Sequence, residues 1–470
     1  MATRAVSLRK TEPTAEFAVD RFQRRSFVKR IERFHSGEDS PRHFLERSLD
    51  CISQRDGDVQ AFVSLDVESA RHMADDASIR YREGRPLSPI DGMPVGIKDI
   101  IETINLPTGM NSPIYAGYRS RRDAACVVAL KAAGAIILGK TVTTEFACGR
   151  SGPTRNPYDL ALTPGGSSSG SAASVGAGMI PGAVGTQTQA SVIRPASYCG
   201  VFALKPSQGL LRFDGCAPLA PTMDTLGIFG ASLEDAWAMT AAIAAIGPNL
   251  GGPSIAMPSK LPPSVRPSKL IRLDMAGWSE LTDEDRLAYE EIVQRLVAEG
   301  VEIVDRGTSD EVERLEQALL NASAISIRLF AYESQWPLKA YAALGGRAVG
   351  ERIHDLIALA DSMSEYDYRT MLEQREELRR QVNELSRSSD GFLTLASSGP
   401  AIADISHTGS RSFPVPWSLI AGPSFALPLL AVRGLPLGVQ LAGPRGSEIA
   451  LGGTAAWIST LVLGEGDSAL

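Results

Sequence analysis

Two serines and one lysine have the residue types and the surroundings needed for nucleophilic catalysis without histidine. Ser191 follows the run Gly-Thr-Gln-Thr-Gln-Ala, Ser167 lies in the cluster Gly-Gly-Ser-Ser-Ser-Gly-Ser, and Lys98 follows the apolar run Pro-Val-Gly-Ile. A serine hydroxyl becomes a good nucleophile only when a neighbouring base takes its proton. A lysine can be that base if burial destabilises its ammonium form and lowers its pKa towards neutrality. The apolar run before Lys98 therefore predicts a strand end that faces a buried site.

Two other patterns match known motifs but lack the surroundings that those motifs need. Residues 134–141 match the phosphate-binding pattern GxxxxGK[ST], yet the four variable positions, Ala-Ile-Ile-Leu, are typical of a strand and not of a phosphate loop. Residues 166–170 match the GxSxG turn of α/β-hydrolases around Ser168, but a poor strand precedes them, and His354 and His407 are the only downstream histidines. The sequence favours neither nucleotide binding nor a Ser-His-Asp triad. It has no CxxC or HExxH motif that would indicate a metal site.

The candidate serines lie in a segment whose composition is typical of packed, irregular backbone. Residues 164–204 are rich in Gly and Ser and contain one charged residue, Arg194. Glycine permits close backbone approach, and buried hydroxyls need hydrogen-bond partners. A buried guanidinium must be paired. Two alternatives stay open for Arg194: it pins a carboxylate from another segment, or it grips a carboxylate of the substrate bidentately.

The elements that must position these residues alternate between short β-branched runs and Ala-rich helical stretches, which indicates α/β layering. Residues 124–133 are typical of a helix and residues 135–138 of a buried strand. We expect one α/β domain built on a large mixed, twisted β-sheet flanked by α-helices. Its expected parts are N-terminal helices (1–64), a core (65–250), an α/β continuation (251–304), a helical insertion (305–390) and a C-terminal part that completes the sheet and the substrate pocket (391–470).

Composition excludes several classes of function. The chain has 470 residues with 47 basic and 54 acidic side chains, a net charge of −7, which gives no electrostatic support for nucleic-acid or anionic-membrane binding. Five scattered cysteines predict reduced thiols and a cytoplasmic location. No long apolar run and no apolar leader near the first ten residues is present, so no membrane association is expected.

The motifs taken together resemble the amidase signature family, and in particular its malonamidase-like branch. The order is Gly-Ile-Lys98-Asp, then the cluster around Ser167, then Ser191-Val-Ile-Arg194-Pro ending in Cys-Gly, and Ser191 lies 24 residues after Ser167, as in that family. The resemblance implies the amidase signature fold and hydrolysis of a carboxylic amide through an acyl-enzyme. It implies no metal and no organic cofactor.

The resemblance also implies a role for each matching residue. Ser191 is the expected nucleophile, Ser167 a relay with a cis peptide bond, and Lys98 the base. The backbone N–H groups of residues 188–191 form the expected oxyanion hole, and the stretch from Ser397 to Trp417 matches the region that lines the acyl pocket. Arg194 and Gln189 are the expected substrate-binding residues, in a site for a small amide that bears a carboxylate. The residues expected to form the oxyanion hole are thus Thr188, Gln189, Ala190 and Ser191.

One departure from the family pattern leaves alternatives open. The family usually has Gly-Gly before the nucleophile, whereas this chain has Gln189-Ala190. If either position requires a positive φ, a side chain there costs about 1 kcal/mol or more. The departure is compatible with a narrowed site or with a weakened or silenced enzyme. An amidotransferase component that passes ammonia to a partner is a further alternative. A small-molecule amide is the expected partner, and a homodimer is left open.

Overall fold

A computed structural model describes residues 16–19, 25–249 and 251–464. Within these residues, eleven strands form one mixed sheet. The strands are β1 Phe62–Leu65, β2 Pro94–Lys98, β3 Ile136–Thr141, β4 Gly182–Gln187, β5 Phe202–Lys205, β6 Thr225–Gly230, β7 Lys269–Arg272, β8 Glu302–Val304, β9 Phe392–Leu395, β10 Ser424–Val432 and β11 Leu435–Ala442.

The strand order in the sheet is β1-β3-β2-β4-β6-β5-β10-β11-β9-β7-β8. Strand β2 pairs in parallel with β3 and β4, while β4, β6, β5, β10 and β11 pair in antiparallel succession. Strand β9 pairs antiparallel with β11, and β7 pairs in parallel with both β9 and β8. At the other edge, β1 pairs antiparallel with β3. Because β2 and β4 are adjacent and parallel, their carboxyl ends, which carry Lys98 and the turn before Ser191, lie at the same edge of the sheet.

Helices pack against this sheet and, between β8 and β9, form a largely helical segment. The helices are α1 Ile31–Ser36, α2 Pro41–Val59, α3 Val67–Arg82, α4 Ala125–Ala132, α5 Ser169–Gly176, α6 Ile193–Tyr198, α7 Leu233–Ala244, α8 Asp283–Ala298, α9 Asp310–Leu319, α10 Ala322–Glu333, α11 Gln335–Gly345, α12 Glu351–Asp361, α13 Glu365–Leu385, α14 Val415–Ile420 and α15 Glu448–Leu463. The expected α/β fold, a mixed sheet flanked by helices, is confirmed.

Local sequence explains where several helices begin and end. Helix α2 begins after Ser40, whose side chain accepts the N–H of His43, and α1 ends at Gly37, which has the left-handed φ of 79°. Helices α8 and α13 begin with capping boxes formed by Thr282 and Ser364. Residues 1–15 and 20–24 of the expected N-terminal helices lie outside the described residues.

The pattern GxxxxGK[ST] lies in a strand, as its apolar positions predict. Strand β3 contains most of it, and Lys140 is completely buried. Its amine donates to the carbonyl of Ile101 and to Oγ1 of Thr108, and it lies 3.1 Å from Oδ1 of Asp99. The amine is therefore paired inside the protein and is not available to a phosphate. No helix in the part of the chain that the structure describes is long and apolar enough to cross a membrane.

Candidate active site

The last residue of β2, Lys98, lies in the interior with its amine against hydroxyl groups. Its side chain is completely buried, and Nζ donates to Oγ of Ser167 at 2.7 Å and to Oγ1 of Thr186 at 2.9 Å. Desolvation lowers the pKa of Lys98 to about 7, and the negative charge of Asp224 opposes that shift. A large fraction of the lysine is therefore uncharged near neutral pH, and an uncharged amine can accept a proton.

Ser167 lies in the glycine-rich turn before α5. The peptide bond between Gly166 and Ser167 is cis. Gly165 has a φ of 76°, and a Cβ at this position would lie 2.9 Å from Cα of Pro195, so this turn requires glycine. The Ser167 hydroxyl accepts from the Lys98 amine, and Ser167 borders the same cavity as Ser191.

Ser168, at the centre of the GxSxG match, faces away from that cavity. It is completely buried, its hydroxyl donates to the carbonyl of Thr186, and it accepts the N–H of the same residue. His407 borders the cavity, and its Nδ1 accepts the N–H of Gly409. The two residues form no hydrogen bond with each other in the described structure, in keeping with the expectation that a Ser-His-Asp triad is not favoured.

Ser191 lies in the turn between β4 and α6, and the side chain of Gln187 holds this turn. Oε1 of Gln187 accepts the N–H groups of Val192 and Ile193 at 2.8 and 3.0 Å, while Nε2 donates to Oγ of Ser418. Ser191 is half-buried and borders the same cavity as Ser167. No hydrogen bond joins Ser191 to Ser167 within the residues that the structure describes.

The backbone before Ser191 adopts ordinary conformations and has free donors. Neither Gln189 nor Ala190 has a left-handed φ, so the side chains that replace the usual glycines cause no backbone strain. The N–H groups of residues 188–191 donate to none of the acceptors in the described chain. Oγ1 of Thr188 donates to Asp224 at 2.6 Å, and the carbonyl of Gln189 accepts from Ser418 at 2.7 Å. These contacts fix the turn while its N–H groups stay available.

Gln189 connects the turn to two distant segments. Its Nε2 donates to Oγ of Ser326 in α10 at 3.0 Å, and its Oε1 accepts from the Arg411 guanidinium. The exposed fraction of Gln189 is 8%, so the side chain fills one wall of the cavity. Its expected direct contact with substrate stays a prediction.

Arg194 is bound by backbone oxygens, and no internal carboxylate pairs with it in the described residues. Nη1 donates to the carbonyls of Gly409 and Ser410, and Nη2 donates to the carbonyl of Gly166 and to Oγ1 of Thr408. Burial lowers its pKa to about 9. The expectation that Arg194 pins a carboxylate from another segment was wrong, because carbonyl dipoles take that place. Its expected contact with a substrate carboxylate stays a prediction.

These residues surround a cavity of about 610 Å³. Part of the predicted C-terminal stretch borders it, from Ser406 to Ser412. Sequence reasoning missed Arg352, which the charged helix α12 brings to the cavity, and it gave no individual role to Arg411. One indication of Arg411 was present in the sequence: it lies within the stretch from Ser397 to Trp417 that is expected to line the acyl pocket. Ser326 and Asp224 had no signal in the sequence, because only the fold brings them to the turn before Ser191.

Comparison with known proteins identifies the family to which the chain is similar. The Amidase family model matches residues 43–451. A component of the glutamyl-tRNA(Gln) amidotransferase of Anaeromyxobacter sp. (strain K) is 41% identical over 203 residues, which are 42% of this chain and 41% of that protein. The corresponding protein of Rhodopirellula baltica (strain DSM 10527 / NCIMB 13988 / SH1) is 31% identical over 469 residues, 90% of this chain and 93% of that protein. The chain spans only 41% to 60% of the length of the first three curated relatives.

Solved structures agree with the family match. A crystal structure of an amidase has a TM-score of 0.80 and 25% identity, and the likeness covers 93% of this chain and 100% of that one. The native peptide amidase from Stenotrophomonas maltophilia has the same fold, with a TM-score of 0.78, 24% identity and coverage of 94% and 98%. The family model covers most of the chain, and the fold agrees over nearly its whole length: this chain belongs to the amidase signature family of enzymes.

Proposed function

We propose that the protein hydrolyses a carboxylic amide through an acyl-enzyme on Ser191. The observation that carries this proposal is the buried Lys98 amine, whose pKa is about 7 and which donates to Ser167 beside the cavity of Ser191. An uncharged amine at this place can accept a proton that two hydroxyls pass on. The family match and the amidase structures support the same type of reaction.

The proposed reaction has two halves. Ser191 Oγ attacks the amide carbon as its proton moves to Ser167, and the Ser167 proton moves to the neutral Lys98. The N–H groups of Thr188, Gln189, Ala190 and Ser191 bind the resulting oxyanion; in other enzymes, removing one such donor costs about 3 kcal/mol. The Lys98 ammonium then returns a proton through Ser167 to the leaving nitrogen, the C–N bond breaks, and ammonia or an amine departs. Water attacks the acyl-enzyme by the same proton route, which releases the carboxylate and restores Ser191.

The proposal requires that Ser191 and Ser167 form a hydrogen bond when substrate is bound. They border one cavity but are not hydrogen-bonded in this structure. Catalytic hydrogen bonds are often long in unliganded enzymes and shorten in the substrate complex. The proposal therefore requires the half-buried Ser191 side chain or its turn to move when substrate binds.

We propose a small amide that bears a carboxylate as the substrate, with Arg194 and Gln189 among the residues that bind it. The Nη groups of Arg194 already bind Gly166 and residues 408–410, while its buried Nε has no partner in the described residues. A substrate carboxylate bound by the Nη groups would have to displace part of that loop. We therefore expect residues 408–410 to move when such a carboxylate binds to Arg194. A cytoplasmic location stays a prediction from the cysteine content.

A second candidate function is that of one component of an amidotransferase complex. The relatives named above are subunits of glutamyl-tRNA(Gln) amidotransferases, and one of them aligns with 90% of this chain. This alternative predicts that other proteins of such a complex co-purify with the chain from its native source and that the isolated chain turns over amides poorly. Native mass spectrometry of the complex purified through a tagged copy of this chain distinguishes the two functions.

A fluorophosphonate probe tests the proposal most directly. We expect a covalent adduct on Ser191, located by peptide mass spectrometry, and ammonia release from a panel of small amides. Ser191→Ala should form no adduct and release no ammonia. Ser168→Ala should still be labelled on Ser191. An unlabelled Ser191 in folded protein would contradict the proposal and favour a silenced, non-catalytic protein.

A further inference from the structure

Two contacts from distant segments hold the candidate oxyanion hole. In α14, the Ser418 hydroxyl donates to the carbonyl of Gln189 at 2.7 Å. In the loop before β6, the Asp224 carboxylate accepts from Oγ1 of Thr188 at 2.6 Å. The turn that contains Thr188 and Gln189 can therefore keep one shape only while α14 and this loop keep their positions relative to each other.

The side chain of Arg375, in α13, binds both of these segments. Its Nε donates to the carbonyl of Leu419 at 2.9 Å, and its Nη2 donates to the carbonyl of Thr222 at 3.0 Å. Leu419 directly follows Ser418, and Thr222 precedes Asp224 by two residues. A guanidinium is planar and holds its donors in fixed directions. One rigid group therefore sets the distance between the two segments that hold the oxyanion hole.

The burial of Arg375 is consistent with this joining role. Its exposed fraction is 5%, and no carboxylate pairs with it in the part of the chain that the structure describes. Desolvation lowers the pKa of its guanidinium to about 10, and the positive charge of Arg379 acts in the same direction. An apolar side chain could fill this space without burying a charge. A buried cation bound to two carbonyls is therefore suited to joining segments rather than to packing.

The loop before β6 has further partners in the helical segment between β8 and β9. Glu333, at the end of α10, accepts the N–H of Thr222 at 3.0 Å and its hydroxyl at 2.6 Å. The Tyr368 hydroxyl of α13 donates to the same carboxylate at 3.2 Å. Since Arg375 binds the Thr222 carbonyl, all three polar groups of Thr222 are bound by side chains from α10 and α13. The loop thus takes its position from this helical segment.

We propose that Arg375 is a positioning residue for amide hydrolysis, which joins α14 to the loop before β6 and so keeps residues 188–191 in the conformation that binds the oxyanion. This inference rests on the proposed function and adds to it a residue that does not border the cavity. A shift of about 1 Å at a reacting group can lower the rate about a hundredfold. Because the oxyanion forms only during the reaction, loss of this geometry lowers kcat more than it raises KM.

Steady-state kinetics test the role, with the amide of the panel that wild type hydrolyses fastest. Arg375→Met should lower kcat about tenfold to hundredfold and change KM by less than about twofold. Arg375→Lys keeps the charge and N–H donors, so it should recover part of kcat. Arg380→Met, on the same helix, is the matched control, because the described partners of Arg380 are Glu377 and Glu384 of its own helix. It should leave kcat and KM unchanged.

Arg379→Met separates the joining role from simple capping of α14. Arg379 also donates to a carbonyl at the end of this helix, that of Ile420, at 2.8 Å. In the described chain it makes no hydrogen bond to the loop before β6. We therefore expect kcat of Arg379→Met to fall by less than about threefold. A fall as large as that of Arg375→Met would mean that capping of α14 accounts for the effect, and the joining role would be overturned.

Hydrogen–deuterium exchange, read by mass spectrometry, measures the same effect without catalysis. Val192 and Ile193 donate their N–H groups to Gln187, whose Nε2 donates to Ser418. These two N–H groups are protected only while the turn keeps its shape. In Arg375→Met, the peptide that contains them should exchange about tenfold faster or more, whereas peptides from β3 should exchange as in wild type.

The outcomes separate this inference from the proposed function. A wild-type kcat in folded Arg375→Met, or exchange that rises equally across the sheet, would overturn the role of Arg375 and leave amide hydrolysis intact. If wild type hydrolyses no amide and takes no fluorophosphonate, the proposed function fails, and exchange at Val192 and Ile193 still decides whether Arg375 holds the turn. If Arg375→Met does not fold, Arg375→Lys decides by the same measurements, with an expected fall in kcat of about threefold or more.

Discussion

Three buried lysines at strand ends show how the immediate surroundings of a residue decide its chemistry. Lys98, Lys140 and Lys205 are each at most 1% exposed. Lys140 is paired with the carboxylate of Asp99, and Lys205 donates to the carbonyls of Pro206 and Gly422. Lys98 donates mainly to hydroxyls, which can both accept and release protons. Lys140 also donates to the Thr108 hydroxyl, but of the three lysines only Lys98 has a hydroxyl partner, Ser167, that borders the cavity of Ser191 in the described structure.

The pH profile of turnover checks the role of Lys98. Only the neutral amine can act as base, and its pKa is about 7, so kcat/KM should rise with pH through about 7 and level off above it. Lys98→Ala should lower kcat by about 10²–10⁴-fold. Burial also raises the pKa of Asp224 to about 7, and its negative charge raises the pKa of Lys98; Asp224→Asn should therefore keep the rise but move it to lower pH. A flat profile from pH 6 to 9, with chemistry rate-limiting, contradicts the assignment.

Replacement of Gln189 and Ala190 by glycine tests the departure from the family pattern. Neither residue has a strained φ, so the double variant should fold normally and still form the Ser191 adduct. Because it removes the Gln189 side chain, which is proposed to bind substrate, KM for a carboxylate-bearing amide should rise about tenfold. Steady-state kinetics on charged and neutral amides measure the change. Identical kinetics in the variant would make both positions irrelevant to substrate choice.

Among the elements, the β4–α6 turn carries the nucleophile, and one amide side chain organises it. Gln187 accepts two N–H groups at the start of α6 and donates to Ser418 in α14. Ser418 in turn donates to the carbonyl of Gln189. The orientation of the candidate oxyanion hole thus depends on contacts between the end of β4 with its following turn and helix α14, which lie far apart in the sequence.

Substitution of Gln187 should change the rate more than the binding of substrate. Gln187→Met removes both functions of the amide, so we expect kcat to fall about tenfold or more with a smaller change in KM. Gln187→Glu keeps the acceptor for Val192 and Ile193 and should recover part of the rate. Gln317→Met, on an exposed helix face, serves as control. A change confined to thermal stability, with kcat unaltered, would show that Gln187 does not position the turn.

The element β3 is tied to the loop after β2 by the buried Lys140–Asp99 pair. Removing one partner of such a pair leaves an uncompensated buried charge, so Lys140→Met should reduce the free energy of unfolding by about 3–5 kcal/mol. Lys131→Met breaks the partly exposed pair with Asp123 and should lower it by only about 0.2–1 kcal/mol. Urea denaturation measures both. Similar values for the two variants would contradict the structural role of Lys140.

At the scale of the whole molecule, local sequence patterns predicted individual strands and helices well but could not predict how they are arranged in the sheet. Strand Phe392–Leu395 and helix Asp283–Ala298 begin and end where apolar periodicity places them, because their patterns are uninterrupted. The order of eleven strands depends on pairings between distant segments, which no local pattern records. In the site, the resemblance to a known family indicated Lys98, Ser167 and Ser191. The partners Ser326, Arg352 and Ser418 arrive from helices more than 100 residues away, so only the fold reveals them.

The hydroxyl surroundings of Lys98 have a consequence for ionic strength. Above the pKa of this lysine, base, relay and nucleophile are all uncharged, and the base and relay are buried, so dissolved ions have little field to screen. Arg352 and Arg411, which border the cavity, are at least partly exposed, so their attraction for an anionic substrate is open to screening. At pH 8, added sodium chloride should leave kcat nearly constant and raise KM for a carboxylate-bearing amide, while KM for its neutral counterpart stays level. Parallel salt responses of kcat and KM would mean that one charged step governs both.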